Sequence, residues 1–220
     1  MIVKLSDIAN SRKILIICDG LDVYTAVSNI LKRNNLKIEI YPYMPLKEEL
    51  VYHDVIIIVK PRDCKKLIKN YTTVFYTYLS ADICFLLDLV AAMKGEFVKK
   101  VDIGVDPGLS NIGIAVIADG ILVMGETLST IHAVIRILNK ITVYEPPINR
   151  IKIKIGNGEN YKAFLEEILQ IEKTKLGRFD IEIVDEAQAK SNILSIKNVR
   201  DKNVIDALKI LTCKGYRRIQ

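Results

Sequence analysis

The stretch VDIGVDPGLSNIGIAVIADGILVMGETLS, residues 101–129, decides how the second half of the chain is read. Three apolar runs of strand length are separated by Asp-Pro-Gly and Ala-Asp-Gly, both turn signals, so the segment reads as a three-stranded meander. The rhythm then changes to helical spacing in STIHAVIRILNKI, residues 129–141, and Pro146-Pro147 breaks it. Next come a strand, RIKIKIGNG (150–158), a helix, YKAFLEEILQIEKTKLG (161–177), and a strand, FDIEIVDEA (179–187). A final helix covers about residues 198–214. The order β-β-β-α-β-α-β-α predicts a mixed five-stranded sheet flanked by helices.

Upstream, the pattern is different. KILIICDG (13–20) is an apolar run ending in Asp-Gly, followed by an amphipathic stretch, LDVYTAVSNILKRNN (21–35). LKIEIYP, a short helical piece at 46–53, DVIIIVK, the basic stretch PRDCKKLIKNY, TTVFYTYLS and an apolar helix, SADICFLLDLVAAMKGE, complete the half. Apolar runs alternating with helices predict βαβ units and a mostly parallel, Rossmann-like sheet. KGEFVKK (94–100) breaks the apolar pattern, which predicts domains at 1–98 and 99–220. The turn ICDGLDVYTAV has one Gly where a dinucleotide fingerprint needs three, and Asp22 suits a helix N-cap. Asp19 and Asp63 end two apolar runs and read either as a second acidic pair or as part of a scaffold or dimerisation domain. Arg62, Lys65, Lys66 and Lys69 offer a basic surface there.

Composition excludes several classes. Among 220 residues, half are hydrophobic and 26% charged, too apolar for a disordered chain, and 11 Gly exclude a collagen-like one. No window reaches a membrane span of about 18 apolar residues, and the N-terminus lacks the apolar core of a signal peptide. Cys18, Cys64, Cys84 and Cys213 are far apart, which argues against paired zinc ligands and fits reduced thiols in a cytoplasm. Two histidines, His53 and His132, exclude a His-rich metal site, and abundant Ile and Lys without Trp have the look of a thermophile.

The net charge of +6 is local: residues 190–220 hold eight Lys or Arg against Asp201 and Asp206, and the rest of the chain is neutral. Such a segment is either a polyanion-facing patch or a solvated helix with a loose basic tail. Three acidic positions interrupt apolar sequence, where a carboxylate is costly unless used. Asp106 precedes the Pro-Gly turn, Glu186 (or Asp185 beside it) ends the last strand, and Asp206 sits within NVIDALKIL. Convergent carboxylates without His or Cys suit Mg²⁺ or Mn²⁺, and two such ions can promote phosphodiester hydrolysis. Asp206 has a plainer reading as an ion-pair partner of Lys202 or Lys209, and Asp201 as a helix N-terminal charge. The turn GNGEN (156–160) reads as a strand-to-helix connection whose N–H groups could hold a phosphate.

IGVDPGLSNIGIAVI resembles the first two strands of the RNase H-like fold, in the form found in RuvC-type junction resolvases and YqgF-type nucleases. IKIGNG and IEIVDEAQAKSN are similar to later YqgF strands, and VIDALKIL resembles the last helix of both families. The resemblance covers about residues 101–214. It implies an RNase H-like domain and a metal-dependent nuclease, with Asp106, Glu186 and Asp206 as catalytic metal ligands. Departures are Asn111 and Ala187 where YqgF proteins carry basic residues, and Asn203 where RuvC enzymes carry an acid or His.

Nucleic acid, as a DNA junction or a structured RNA, is the expected partner. Lys202, Lys209, Lys214, Arg217 and Arg218 are the expected phosphate contacts. Symmetric cutting of a junction would need a homodimer. The competing reading is a nucleic-acid-binding scaffold that keeps the fold without cleavage. A nucleotide-binding protein of the actin and sugar-kinase type shares the DxG turn, but a second phosphate motif is absent from the sequence.

Overall fold

The computed structural model describes residues 2–43, 52–60, 67–69, 73–78, 81–158, 160–175, 179–191 and 199–219. Arg62, Asp63, Cys64, Lys65 and Lys66, and most of the helical piece expected at 46–53, lie outside the described residues. The chain divides into two compact units, Val3–Val98 and Lys99–Gln220, the second taking in Met1–Ile2. No helix among the described residues is long and apolar enough to cross a membrane.

The first unit runs β1 (Val3–Lys4), α1 (Leu5–Ala9), β2 (Ile14–Cys18), α2 (Leu21–Arg33), β3 (Glu39–Tyr41) and β4 (Val55–Lys60). β5 (Leu67–Lys69), β6 (Thr73–Tyr78) and α3 (Asp82–Lys94) follow. Its sheet has the order β3-β2-β4-β6-β5. The first four strands are parallel, as expected, and β5 runs antiparallel to β6. That strand forms within the stretch read only as basic, because a short reversal can place an antiparallel strand at a sheet edge, where Lys is tolerated. β2 is buried throughout and β4 at all but Lys60, which explains the unbroken apolar runs. α2 begins after Gly20, whose φ of 107° favours glycine. α3 is buried from Ile83 to Met93, including Asp88, whose Oδ2 accepts a hydrogen bond from Thr77 Oγ1 at 2.5 Å.

The second unit contains β7 (Lys100–Pro107), β8 (Ile112–Ala118), β9 (Ile121–Leu128), α4 (Ile131–Thr142), β10 (Arg150–Gly156) and α5 (Tyr161–Lys175). β11 (Phe179–Val184), α6 (Glu186–Ser191), α7 (Lys202–Thr212) and β12 (Arg217–Ile219) complete it. Its six described strands, one more than the five expected, lie in the order β9-β8-β7-β10-β11-β12. β7, β8 and β9 form the antiparallel meander, β10 and β11 add in parallel to β7, and β12 closes the far edge antiparallel to β11. The mixed sheet was legible; α6 and β12 were not. In the segment read either as a polyanion-facing patch or as a helix with a loose basic tail, Arg217 pairs with Ile183 and Arg218 with Glu182.

Strand alternation gives this sheet two unlike faces. Val101, Ile103, Val105, Ile151, Ile153, Ile155, Ile181 and Ile183 are buried on one, with Val134 and Leu138 of α4 and Phe164 and Ile168 of α5. Thr130 caps α4 by accepting from the Ala133 N–H. The other face presents Asp102, Gly104 and Asp106 from β7, in register with Lys152 and Lys154 of β10. α7 lies across that face.

Candidate functional site

The position of α7 follows from glycines. A Cβ at Gly104 would stand 2.2 Å from the Ala207 carbonyl oxygen, and one at Gly113 would stand 2.1 Å from that of Asn203. Only glycine lets the helix backbone come so close to β7 and β8. Asp201 caps the helix, accepting at Oδ1 from the Asn203 and Val204 N–H groups, and its Oδ2 accepts from Thr127 Oγ1 at 2.8 Å. The helix N-terminal role read for Asp201 therefore holds.

Asp106 is the penultimate residue of β7, half-buried, on the face covered by α7. Its cross-strand partner is Gly113, the residue under Asn203. Glu186 does not end a strand: β11 stops at Val184, and Glu186 opens α6. Asp185 takes the capping place, its Oδ1 accepting from the Ala187 N–H at 3.0 Å.

The Glu186 carboxylate lies where two glycines leave room. A Cβ at Gly156 would be 2.7 Å from its Oε1, and one at Gly158 would be 2.4 Å from the same atom. The carboxylate thus leans over the end of β10, the strand next to β7. Ile210 of α7 reaches the same glycine, with Cδ1 2.8 Å from a Cβ there.

Two asparagines of the GNGEN turn hold the corner together. Asn157 Oδ1 accepts from the Glu186 N–H at 3.0 Å, and the Asn157 N–H donates to the Val184 carbonyl at 2.9 Å. Asn160 Nδ2 donates to the Gly108 carbonyl at 3.3 Å, in the turn that follows Asp106. The sequence reading considered this turn only for its N–H groups and missed both side chains. Asn flanking glycine after a strand was the available signal.

Asp206 lies on α7 between Asn203, seated on β8, and Ile210, seated on the end of β10. The i, i+3, i+7 spacing puts all three on one helix stripe. Its Oδ1 accepts from Lys209 Nζ at 3.1 Å, the ion pair that the sequence offered as its plainer role. Asp106, Glu186 and Asp206 therefore belong to elements meeting at the C-terminal end of β7 and β10. Among the described residues, however, no three His, Cys, Asp or Glu side chains are grouped to hold a metal ion. In donor chemistry the set fits Mg²⁺ or Mn²⁺: all three are hard oxygen donors, and Gly156 and Gly158 leave room for the Glu186 carboxyl group.

The expected phosphate contacts divide. Lys202 and Lys214 are exposed at the two ends of α7, and Arg217 is exposed beside the end of β11. Lys209 is engaged by Asp206, and Arg218 Nε lies 2.9 Å from Asp180 Oδ1. A charged ladder missed in the sequence runs below the site. Lys152 Nζ donates to Glu182 Oε1 at 2.5 Å, Lys154 Nζ lies 3.7 Å from Glu182 Oε2, and Lys154 also donates to the Cys213 carbonyl. Burial lowers the Lys154 pKa, partly offset by Glu182. For Glu182 burial acts to raise the pKa, but the Lys152 hydrogen bond and the charges of Lys152 and Lys154 bring it below the ordinary value. The alternations IKIKI and DIEIV, in register, were the signal.

No family model matches the chain. No curated protein matches it. Among solved structures, it is similar to Thermus thermophilus RuvC in complex with Holliday junction substrate: 18% identity over 51% of this chain and 90% of that one, with a TM-score of 0.37. A second Thermus thermophilus RuvC structure shows 15% identity over 50% of this chain and 90% of that one, at 0.38. A Bacteroides thetaiotaomicron protein with an actin-like ATPase fold and unknown function shows 10% identity over 88% and 82%, at 0.31.

Proposed function

We propose that residues 99–220 form an RNase H-like domain of the RuvC/YqgF type, a divalent-metal-dependent nuclease for structured DNA or RNA, and that residues 1–98 form a separate Rossmann-like domain. The observation that carries the reading is the seating of the Glu186 carboxylate on Gly156 and Gly158, at the end of the strand beside Asp106. The two glycines leave the space that the Glu186 carboxylate fills, over the end of the strand that neighbours β7.

Asp106 and Glu186 are the first two metal ligands in this reading, and Asp206 joins them on leaving Lys209. Bound Mg²⁺ or Mn²⁺ would supply an activated water and stabilise the departing oxygen. Asn157 and Asn160 fix the two ends of the corner, through the Glu186 N–H and the Gly108 carbonyl. Lys209, once released, is a cation within reach of a phosphate, and Lys202, Lys214, Arg217 and Arg218 extend that surface. Symmetric cutting of a four-way junction would add a second copy of the chain.

The test is cleavage of a four-way DNA junction and a structured RNA in Mn²⁺, with Asp106→Asn and Glu186→Gln alongside. Loss of at least about 100-fold in both variants is expected, since each removes a ligand charge. Cleavage that persists in Asp106→Asn overturns the reading. A second reading, a nucleic-acid-binding scaffold without cleavage, is favoured by the Asp206–Lys209 ion pair. It predicts tight, salt-sensitive binding with no product on any substrate.

A further inference from the structure

The first unit holds a groove of about 700 Å³ that the nuclease reading does not use. It opens where β2, β3 and β4 begin, the end opposite the one where Asp19 follows β2. Its polar lining is Arg12, Lys13, Lys37, Glu39, Tyr41, Tyr52 and His53 among the described residues. Among the described lining residues the one carboxylate is committed: Glu39 Oε1 accepts from Tyr41 Oη at 2.7 Å, and Oε2 pairs with His53 Nε2 at 2.9 Å. The His53 hydrogen bond, then that of Tyr41, holds the Glu39 pKa below its ordinary value.

The cations are differently placed. Arg12 Nη1 donates to the Met93 carbonyl at 2.7 Å, which fixes the guanidinium at the wall. Lys13 and Lys37 are tied through their backbones, to Asp54 Oδ2 and Asn10 Oδ1, and both residues are exposed. Tyr52 is 71% exposed and lines the same groove as Arg12, Lys13 and Lys37. An exposed aromatic ring that shares a groove with positive charge suits a flat, conjugated ligand that carries phosphate. Apolar partners would not need the lysines, and an acidic peptide would not need the ring.

We propose that this groove binds a nucleotide unit, its base stacked on Tyr52 and its phosphate held by Lys13 and Lys37, with Arg12 behind them. The unit can come from a single strand of nucleic acid or from a free nucleotide, and the two sources share this chemistry. The proposal stands independently of the nuclease reading, because it concerns residues of the other unit.

Binding of a fluorescently labelled single-stranded oligonucleotide of about ten residues is measured by anisotropy on the full chain. EDTA is present, so cleavage plays no part. A parallel titration uses a nucleoside monophosphate. Tyr52→Ala should weaken binding by about fivefold or more, and Tyr52→Phe should restore it, because stacking needs the ring and not the hydroxyl. The double variant Lys13→Ala with Lys37→Ala should reduce the salt dependence of strand binding by about 1.4 in log–log slope. Loss seen only with the oligonucleotide assigns the groove to a strand. The same loss with the monophosphate assigns it to a free nucleotide. If the Tyr52 and lysine variants, with unchanged thermal melting, bind both probes like the parent, or if neither probe binds the parent, the proposal is wrong.

Discussion

The two sheets of this protein use their strands in opposite ways. In the first unit β2 is apolar at every position and buried on both faces, so its strands can carry chemistry only where they begin and end. In the second, β7, β10 and β11 alternate. One face is isoleucine and valine; the other is glycine, lysine and carboxylate, covered by α7. The first arrangement gains burial on both sides. The second gives up apolar area on one face and gains a helix seated against strand backbone, with carboxylates near its margin.

The sharpest way to break that contrast is to fill the seat. Gly104→Val places a branched side chain where the Ala207 carbonyl stands, a conflict with backbone that no rotamer relieves. We expect a loss of about 3 kcal/mol or more in urea unfolding of the second unit. A stability within 1 kcal/mol of the parent would mean that α7 is not held by this contact.

A smaller effect is expected at the corner. Asn157→Ala removes the side-chain acceptor for the Glu186 N–H, which should cost about 1–2 kcal/mol. It should also lower Mn²⁺ affinity, whereas the isosteric Asn157→Asp keeps an acceptor. Equal melting and equal Mn²⁺ titrations for Asn157→Ala and the parent would remove the turn from the site.

The smallest effect concerns the charged ladder. The Glu182 pKa is lowered from an ordinary 4.5 in the folded chain, so its contribution to stability is present above that value. It is lost as pH falls through the folded value. Glu182→Gln should therefore flatten the acid limb of the stability–pH curve below about pH 4.5, and leave its shape near neutrality unchanged. An unaltered acid limb would show that Lys152 and Lys154 do not hold the carboxylate ionised.

Much of this was legible in the sequence. The turns at Asp106-Pro107-Gly108 and at Asp119-Gly120 delimit the meander, and period-two patterning in β10 and β11 announces half-apolar strands. What sequence order could not supply were relations between distant residues. Whether Asp206 pairs with Lys202 or Lys209 depends on rotamers, and both spacings suit a helix. β12 follows from the register of Arg217 and Arg218 on β11, which two arginines in an exposed tail do not announce. Asn157 and Asn160 gain their meaning only when the ends of β7 and β11 come beside their turn. Glu186 was read as the end of the strand FDIEIVDEA, whereas that strand stops at Val184 and Asp185 caps a helix that starts at Glu186.

We propose that Asp106, Glu186 and Asp206 together hold divalent metal. The most direct measurement is the anomalous signal of Mn²⁺ soaked into crystals of the full chain. The account predicts manganese bound by the carboxylates of Asp106 and Glu186, with Asp206 turned from Lys209 toward the ion. Manganese absent from that corner at saturating concentration, with Asp206 still on Lys209, would contradict it.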